Sequence, residues 1–599
     1  MKTILLISGL LVYVLSFAQT DSVLYQKQPT ANNVLAAKLQ PIKGEKQYIT
    51  AELIRIQGIT RLSELLVWID KTTYTTIDWN KHALNINGTS TMQQQNYLLM
   101  INGMKVELER WDAIGINELG IAVTDIAYVE ISTVPQVING LFAGKGAINI
   151  VMRNDYKGLT VSGYNNYGNP VSDPGPLQYT NKYSSPNIHK TGLVYAYSAG
   201  YYAKKWHINI NQNYSDWYLR SQSIIRRLGA FDPTIEMNTL RSTRLEGAVQ
   251  LGKFLIEAGG AASGQKGYVY RNYLQTEIPA GSYYSEGRLR ITRVLKNNQY
   301  VKGNFILNSH RFDQVSNLFP DYKYLTSTTN IEYGKTYYWK KDRFIKHASG
   351  YAVNYASYTN GKTYQLQHKP YSTLSYNLSK KIKQQLDVAL AVFENTVNPS
   401  IAFKHEKSSS IINSSSVIVS YQQNRVNEQY NQFWQFYSTN QTLKPLAYPK
   451  TINSTPTHFF TADYFYYISS SSSFKLTLNP GIRYQHNYHF IQPDGVAAYP
   501  LVSANSSART AGFYTITFGA NLHYDVFNNF WFDIDYFSAN DKSGNKDLQQ
   551  VLNSDARRKI MASIYFKLPA RIDIGLRSQA VSKTQWNYFD AAGNLVNQN

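Results

Sequence analysis

The stretch Tyr514-Thr515-Ile516-Thr517-Phe518-Gly519-Ala520-Asn521-Leu522-His523-Tyr524-Asp525-Val526 alternates between two kinds of residue. One parity carries Tyr, Ile, Phe, Ala, Leu, Tyr and Val, and the other carries Thr, Thr, Gly, Asn, His and Asp. A period of two sends successive side chains to opposite faces of a strand, so one face here is apolar and the other polar. The same pattern returns at Trp206–Tyr214 and Phe474–Gln485, and less perfectly at Val301–Asn308, Leu386–Phe393 and Phe530–Phe537. Segments of about ten alternating residues, repeated along most of a chain, are the signature of an outer-membrane β-barrel, apolar toward lipid and polar toward the lumen.

A soluble antiparallel sandwich also alternates, but three features oppose it. The alternation runs from about residue 157 to the end of the chain, far beyond a sandwich of about 100 residues. Its apolar parity is heavy in Tyr, Phe and Trp, matching the aromatic girdles of a membrane barrel. The chain also opens like an exported protein. Lys2 precedes an apolar run from Ile4 to Val14, and Ser16 and Ala18 supply the small residues of a cleavage site. Residues 1–18 are therefore expected to be a signal peptide, with a mature chain starting at Gln19. That run is shorter than the roughly 20 residues a spanning helix needs, and a mean hydropathy of −0.37 excludes a helical membrane protein.

The chain has no cysteine, which excludes a lipoprotein anchor, disulfides, thiolate metal ligands and a cysteine nucleophile. Its net charge is +21, from 60 Lys and Arg against 39 Asp and Glu. Such a balance often points to nucleic acid, but here the basic residues are scattered as Lys204-Lys205, Arg226-Arg227, Lys340-Lys341, Lys380-Lys381 and Arg557-Arg558 rather than gathered in one stripe. Basic bands at strand ends suit the phosphates of outer-leaflet lipid or attract anionic solutes; no nucleic-acid partner is expected.

Residues 19–47 are polar and aperiodic, and are expected to form a periplasmic arm. Between 48 and 156 the texture is α+β. Short strands (Leu98–Ile101, Tyr128–Ile131, Ala147–Met152) accompany Ile59, Leu62, Leu65, Leu66 and Ile69 at helical spacing, with Ser63 near the start of that helix. From 157 to 599 the alternation takes over. The Phe566-Lys567-Leu568-Pro569-Ala570 connection is tight, whereas Gly168–Lys190, Ser221–Asn238 and Ala539–Arg557 are long and polar. Short turns on one rim and longer loops on the other are the habit of transmembrane barrels. The serine tracts Ser408–Ser416 and Ser469–Ser473 are expected to be loops or weak strand ends.

The 48–156 region resembles the plug domain of TonB-dependent outer-membrane receptors, with five motifs in the family's order. Leu62-Ser63-Glu64-Leu65-Leu66 resembles the early plug helix, and Leu84-Asn85-Ile86-Asn87-Gly88 stands where the family has a strand ending in Arg-Gly. Leu98–Val106 is similar to the segment containing Ile-Asp-Gly, with Asn102-Gly103 in place of Asp-Gly. Asp125–Ile131 resembles the Ile-Glu-Val strand, with Glu130 as the acid. Leu141–Val151, including Gly144 and Gly146, is similar to the closing Gly…Gly-Ala…Ile-Asn-Ile element. Thr133-Val134-Pro135-Gln136 replaces the Gly-Pro that often follows the third of these strands.

The resemblance implies a transmembrane barrel of about 22 antiparallel strands with an α+β plug inside its lumen. A domain of about 110 residues has a radius of gyration near 13 Å, which only a barrel of about that strand number can hold. It further implies import of a scarce solute, such as a ferric siderophore or another anionic ligand in keeping with the charge. The implied partners are the TonB-ExbB-ExbD energy-coupling complex, outer-membrane lipid and a small-molecule ligand. Asp21, Ser22, Val23 and Leu24 are the candidate TonB contact, within an imperfect box. Tyr74, Trp79 and Trp111 are candidate ligand contacts, against the plainer role of packing plug on wall. Gly88, Gly103, Gly144 and Gly146 are expected at turns needing unusual backbone angles.

Enzyme signatures fail. His405-Glu406 lacks a histidine at position 409, which is Ser409. Gly334-Lys335-Thr336 and Gly361-Lys362-Thr363 lack the earlier glycine of a phosphate loop, having Thr329 and Ala356 instead. No catalytic residue, cofactor or metal is expected. The alternative to import is a plugged barrel that serves as subunit or scaffold of a larger outer-membrane complex, suggested by the imperfect box and the short loops. Arginine at Ile516 or Leu522 is expected to impair assembly, and arginine at the inward Thr517 or Asn521 to be better tolerated.

Overall fold

The computed structural model describes residues 46–78, 81–86, 97–106, 109–110, 113–114, 116–154, 156–168, 192–220, 235–268, 279–314, 322–340, 343–358, 364–379, 381–393, 396–408, 413–424, 456–469, 473–492, 507–527, 529–552, 557–568, 572–582, 586–589 and 595–598. Nineteen strands, from Gly158–Gly168 to Ile572–Val581, form one sheet in which every neighbour is also the next strand in sequence and each of the pairings is antiparallel. A further hairpin pairs Trp586–Phe589 with Leu595–Gln598. Among the described residues the helices are short, and none is long and apolar enough to cross a membrane.

The facing read from the alternation is the facing found. Trp206, Ile208 and Ile210 point outward while Asn209 and Asn211 are buried inside. Ile482 and Tyr484 are exposed, whereas Lys475, Thr477, Asn479, Arg483 and Gln485 are buried. Ile516 is 53% exposed and its neighbour Thr517 only 3%. The inward face, however, is packed and hydrogen-bonded rather than open to water. Thr517 Oγ1 accepts from Arg483 Nη1 at 2.7 Å, and Asn521 Nδ2 donates to Asp535. The expected tolerance to arginine therefore does not follow at Thr517, which is buried beside the Arg483 guanidinium; Asn521 instead borders a cavity beside the Asp535 carboxylate.

Inside the wall lies a five-stranded mixed sheet, ordered Lys46–Thr50, Ile126–Ser132, Gly146–Met152, Tyr97–Ile101 and Met104–Lys105. Tyr97–Ile101 runs parallel to Gly146–Met152 and is buried throughout. Burial on both faces explains its unbroken apolar run. Leu99, Ile101, Ile148 and Ile150 enter the main core, and Leu98, Met100, Leu141 and Ala147 a second one on the opposite face. The helical patch is split into a turn of α-helix at Leu62–Leu65 and a 3-10 turn at Leu66–Trp68. Ser63 does not cap it. Glu64 does, accepting from Thr60 N at 2.8 Å, while Ser63 N donates to Asn117 Oδ1 at 3.0 Å. A helix absent from the sequence reading, Ala51–Ile56, is capped by Thr50, whose Oγ1 accepts from Leu53 N at 3.2 Å.

The connections also differ in detail from the sequence reading. The strand Ile235–Leu251 begins inside the stretch assigned to a loop, Asn413–Asn424 absorbs Ser414–Ser416, and a helix Lys546–Leu552 occupies the stretch after the strand Phe530–Lys542.

Candidate functional site

The inner domain touches the wall on every side. At the first wall strand, Tyr164 Oη donates to the carbonyl of Thr60. At the nineteenth, the Arg577 guanidinium lies over the Trp68 ring, 3.7 Å from its centroid. Thr60 and Trp68 bracket the two short helical turns, so both ends of the sheet meet the same segment of the inner domain. The sheet is wrapped around that domain, which lies in its lumen.

Wall side chains hold plug backbone in several sectors. Asn213 Nδ2 donates to the carbonyl of Ile121 at 2.8 Å, and Arg290 Nη1 to that of Asn102 at 2.8 Å. Arg244 Nε donates to the carbonyl of Leu119 and Arg288 Nη1 to that of Ile101, at 2.5 and 2.8 Å. Both guanidiniums are fully buried with Glu246 and Glu286. Arg244 Nη2 is 2.6 Å from Glu286 Oε1 in ionic contact without hydrogen-bond alignment. Two acids and two bases in one dry cluster cancel in charge, and the leftover N–H groups go to plug carbonyls; this is what makes burying four charges tolerable. Two of the chain's arginines thus lie inside the barrel against two acids, and because this cluster is neutral the net excess of +21 resides elsewhere.

Asp125, on the plug, accepts from Asn211 Nδ2 of the wall at 3.1 Å. Burial pushes its carboxyl up to about 7, against the hydrogen bond from Asn211 and the charge of Arg153. Another sector centres on Asp70, Lys71 and Lys559. Lys559 Nζ, from the wall, donates to the carbonyl of Ile69 at 2.6 Å, and Lys71 Nζ sits 3.9 Å from the centroid of Phe465. Glu52 pairs with Lys567 at 2.8 Å. Lys567 lies beside a short connection between wall strands, so the start of the plug faces the short-turn rim.

Of the residues singled out from sequence, Asn102 and Gly103 turn beside one end of the strand Gly146–Met152, and Gly146 begins its other end. Asn102 and Gly103 have φ of 51° and 73° and join Tyr97–Ile101 to Met104–Lys105, the two-residue Asn-Gly hairpin in which both positions need positive φ. Asn102 Oδ1 accepts from Met152 N at 2.9 Å, and Gly103 N donates to Asn149 Oδ1 at 2.8 Å. An amide in place of the family's acid thus serves as a neutral acceptor here. Gly146 has φ of 104°, and a Cβ there would meet the Ser132 carbonyl at 1.9 Å. Glu130 lies one strand away, opposite Asn149.

Gly144 stands apart and corrects its expected role. It has no positive φ; it leaves space for the Gln422 side chain of the wall, which a Cβ would meet at 2.4 Å. A second Asn-Gly hairpin went unnoticed in the sequence. Asn139 and Gly140, at φ of 50° and 80°, join Gln136–Ile138 to Leu141–Ala143. Asn139 Nδ2 donates to the Gly103 carbonyl at 3.0 Å, so the two turns are bonded together. The Asn-Gly dipeptide itself was the available signal.

Tyr74 belongs to the strand Thr72–Asp78, but its side chain lies outside the described residues, as do Trp79, Trp111, Gly88 and the segment Asp21–Leu24. Among the described residues no group of three or more His, Asp or Glu is placed to hold a metal ion.

No known family profile and no curated protein matches the sequence. Solved structures do. The siderophore receptor PirA from Pseudomonas aeruginosa superimposes with a TM-score of 0.64 at 11% identity, covering 92% of each chain. A mutant of the ferric enterobactin receptor PfeA from the same organism gives 0.67 at 10% identity, over 95% of this chain and 89% of that one. The FrpB iron transporter from Neisseria meningitidis gives 0.67 at 11% identity, over 93% and 90%. The chain has the plugged-barrel fold of the TonB-dependent receptors. Plug and barrel are therefore the names for its inner domain and its wall. The fold is shared at an identity so low that specific side-chain contacts need not be.

Proposed function

We propose that the protein is an outer-membrane, TonB-dependent receptor that imports a scarce solute past its plug. The observation that carries this reading is the plug itself, lodged inside the wall and bonded to strands at both ends of the sheet, where it obstructs passive diffusion. Import through such a barrel needs work done on the plug. The chain has no phosphate-loop motif, so the work comes from a partner. The plug begins at the short-turn rim, the periplasmic side of outer-membrane barrels. On this reading the segment preceding residue 46 serves as an arm for a TonB-ExbB-ExbD complex, with Asp21, Ser22, Val23 and Leu24 adding as a strand to the partner's sheet edge. Residues 1–18 would be removed on export.

The similar solved structures are named for siderophores and iron, and the net charge of +21 favours anionic ligands. A ferric siderophore is the proposed substrate class. The test is uptake and surface binding of a panel of radiolabelled ferric siderophores in cells carrying the wild type, Val23→Pro or a deletion of 19–45. Val23→Pro removes a donor and fixes the local backbone. It should abolish uptake and leave binding intact. Uptake unchanged in both variants would end the coupling proposal. Absence of any transported ligand, with stable co-purification of other outer-membrane proteins, would favour the scaffold reading instead.

A further inference from the structure

Gln47 stands at the second position of the first plug strand, and both ends of its side-chain amide are spent on one segment. Its Nε2 donates to the Trp68 carbonyl at 2.6 Å and to Asp70 Oδ1 at 3.0 Å. Its Oε1 accepts from Asp70 N at 2.9 Å. Asp70 faces the same cavity between plug and wall as Asp535, on the wall strand Phe530–Lys542. The residual surface of Asp70 borders a cavity between plug and wall that Gln47, Asn521, Asp535 and Lys559 also line. Two carboxylates that face one cavity between plug and wall repel when both are ionised, and each raises the cost of ionising the other.

The surrounding charges do not remove the conflict. Lys559 Nζ is committed to the carbonyls of Ile69 and Val67, and Lys71 Nζ rests over Phe465. Asp533, two residues before Asp535, adds negative charge. It is bonded to His523 Nδ1 at 2.5 Å, and His523 Nε2 lies 3.1 Å from Asp525. Lys475 and Arg577 complete the charged groups around the cluster. His523, Asp525 and Asp533 lie between the acid pair and the short connection Phe527–Phe530.

We propose that Asp70 and Asp535 share one proton that latches the root of the arm to the barrel wall, and that loss of the proton releases the root. Burial pushes the Asp70 carboxyl up to about 6 even with Lys559 and Lys71 nearby. An acid whose folded pKa is raised binds its proton more tightly when docked, so docking weakens as pH rises from 3.8 through about 6. Once both carboxylates are charged they repel, and Asp70 withdraws with Gln47. The strand Lys46–Thr50 is then held mainly by its pairing with Ile126–Ser132 at the edge of the plug sheet. If the arm is pulled during import, as proposed above, the latch sets how readily its root yields. The latch itself is measurable without any import.

The experiment is hydrogen exchange on the intact, detergent-solubilised protein at about pH 5 and about pH 8, corrected for intrinsic exchange rates. In the wild type, opening of amides 47–50 should increase about tenfold or more between the two, while Tyr97–Ile101 stays protected. Asp70→Asn and Asp535→Asn should each flatten this dependence and keep 47–50 protected at both values. Either variant suffices if the other fails to fold, because the proton is shared; protection of Tyr97–Ile101 reports folding. No increase in the wild type, or an undiminished increase in a folded variant, overturns the latch. Ferric siderophore uptake, measured separately, reports on the import reading alone.

Discussion

Arg244 Nε of the wall donates to the carbonyl of Leu119 of the plug at 2.5 Å, a bond between a fully buried guanidinium and a backbone group 125 positions away. The arrangement reverses what an alternating strand suggests about its polar face. The inward parity does not line a water-filled tube; it grips a folded domain by its backbone. Because Glu246 and Glu286 rely on Arg244 and Arg288 for compensation, replacing Arg244 with alanine leaves an excess of buried negative charge. We expect Arg244→Ala to weaken plug docking by about 3–5 kcal/mol. It would be read as earlier urea-induced exposure of the plug with the barrel still folded. A loss below about 1 kcal/mol would show the cluster to be dispensable.

Glycines of the plug should separate by backbone angle. Gly146→Ala combines φ of 104° with a Cβ that would lie 1.9 Å from the Ser132 carbonyl, and a cost of about 4 kcal/mol or more is expected. Gly144→Ala meets only the end of the Gln422 side chain, which can turn away, so a cost of about 1 kcal/mol is expected. Folded yield and urea midpoint of the two variants test the ranking; equal damage would contradict it.

Facing on the wall gives a third test. Ile516→Arg puts a charge on the lipid side and should cost about 2–4 kcal/mol near the membrane midplane. Thr517→Arg should also fail, through crowding beside Arg483 rather than through lipid. Thr517→Ser keeps the hydroxyl acceptor and should lose about 1 kcal/mol or less. Heat-modifiable electrophoretic mobility of the refolded barrel distinguishes assembled from unassembled protein in each case.

Asp125 makes plug stability depend on pH. Its carboxyl is raised from 3.8 to about 7 by burial, so the folded state holds a proton that the unfolded state releases earlier. Stability contributed by that proton is full below about pH 4 and declines as pH rises toward 7. The decline is on the order of 2–4 kcal/mol at most. Asp125→Asn removes this dependence while keeping an oxygen for Asn211 Nδ2. Urea titrations of the plug at about pH 5 and pH 8 should show a smaller difference in the variant than in the wild type; an identical difference would exclude Asp125 as its source.

The sequence by itself determined the wall. Residues such as Ile516 and Thr517 belong to opposite faces because side-chain direction in a strand is a local property with a period of two, and no distant contact is needed to read it. It also determined the plug's central strand, because Tyr97–Ile101 is an apolar run that burial on both faces explains. Even the hairpins at Asn102-Gly103 and Asn139-Gly140 were written in two residues each, although one went unread. Tertiary structure alone decided what the inward face does. Whether Arg244 meets water, a ligand or the Leu119 carbonyl depends on which domain fills the lumen, and whether Asp70 stands alone or opposite Asp535 depends on how plug and wall are docked. Partners 125 and 465 positions apart leave no periodicity in the chain, because the interaction is fixed by distance in space and its chemistry, a donor to a carbonyl or an acid to an acid, is common to many residues.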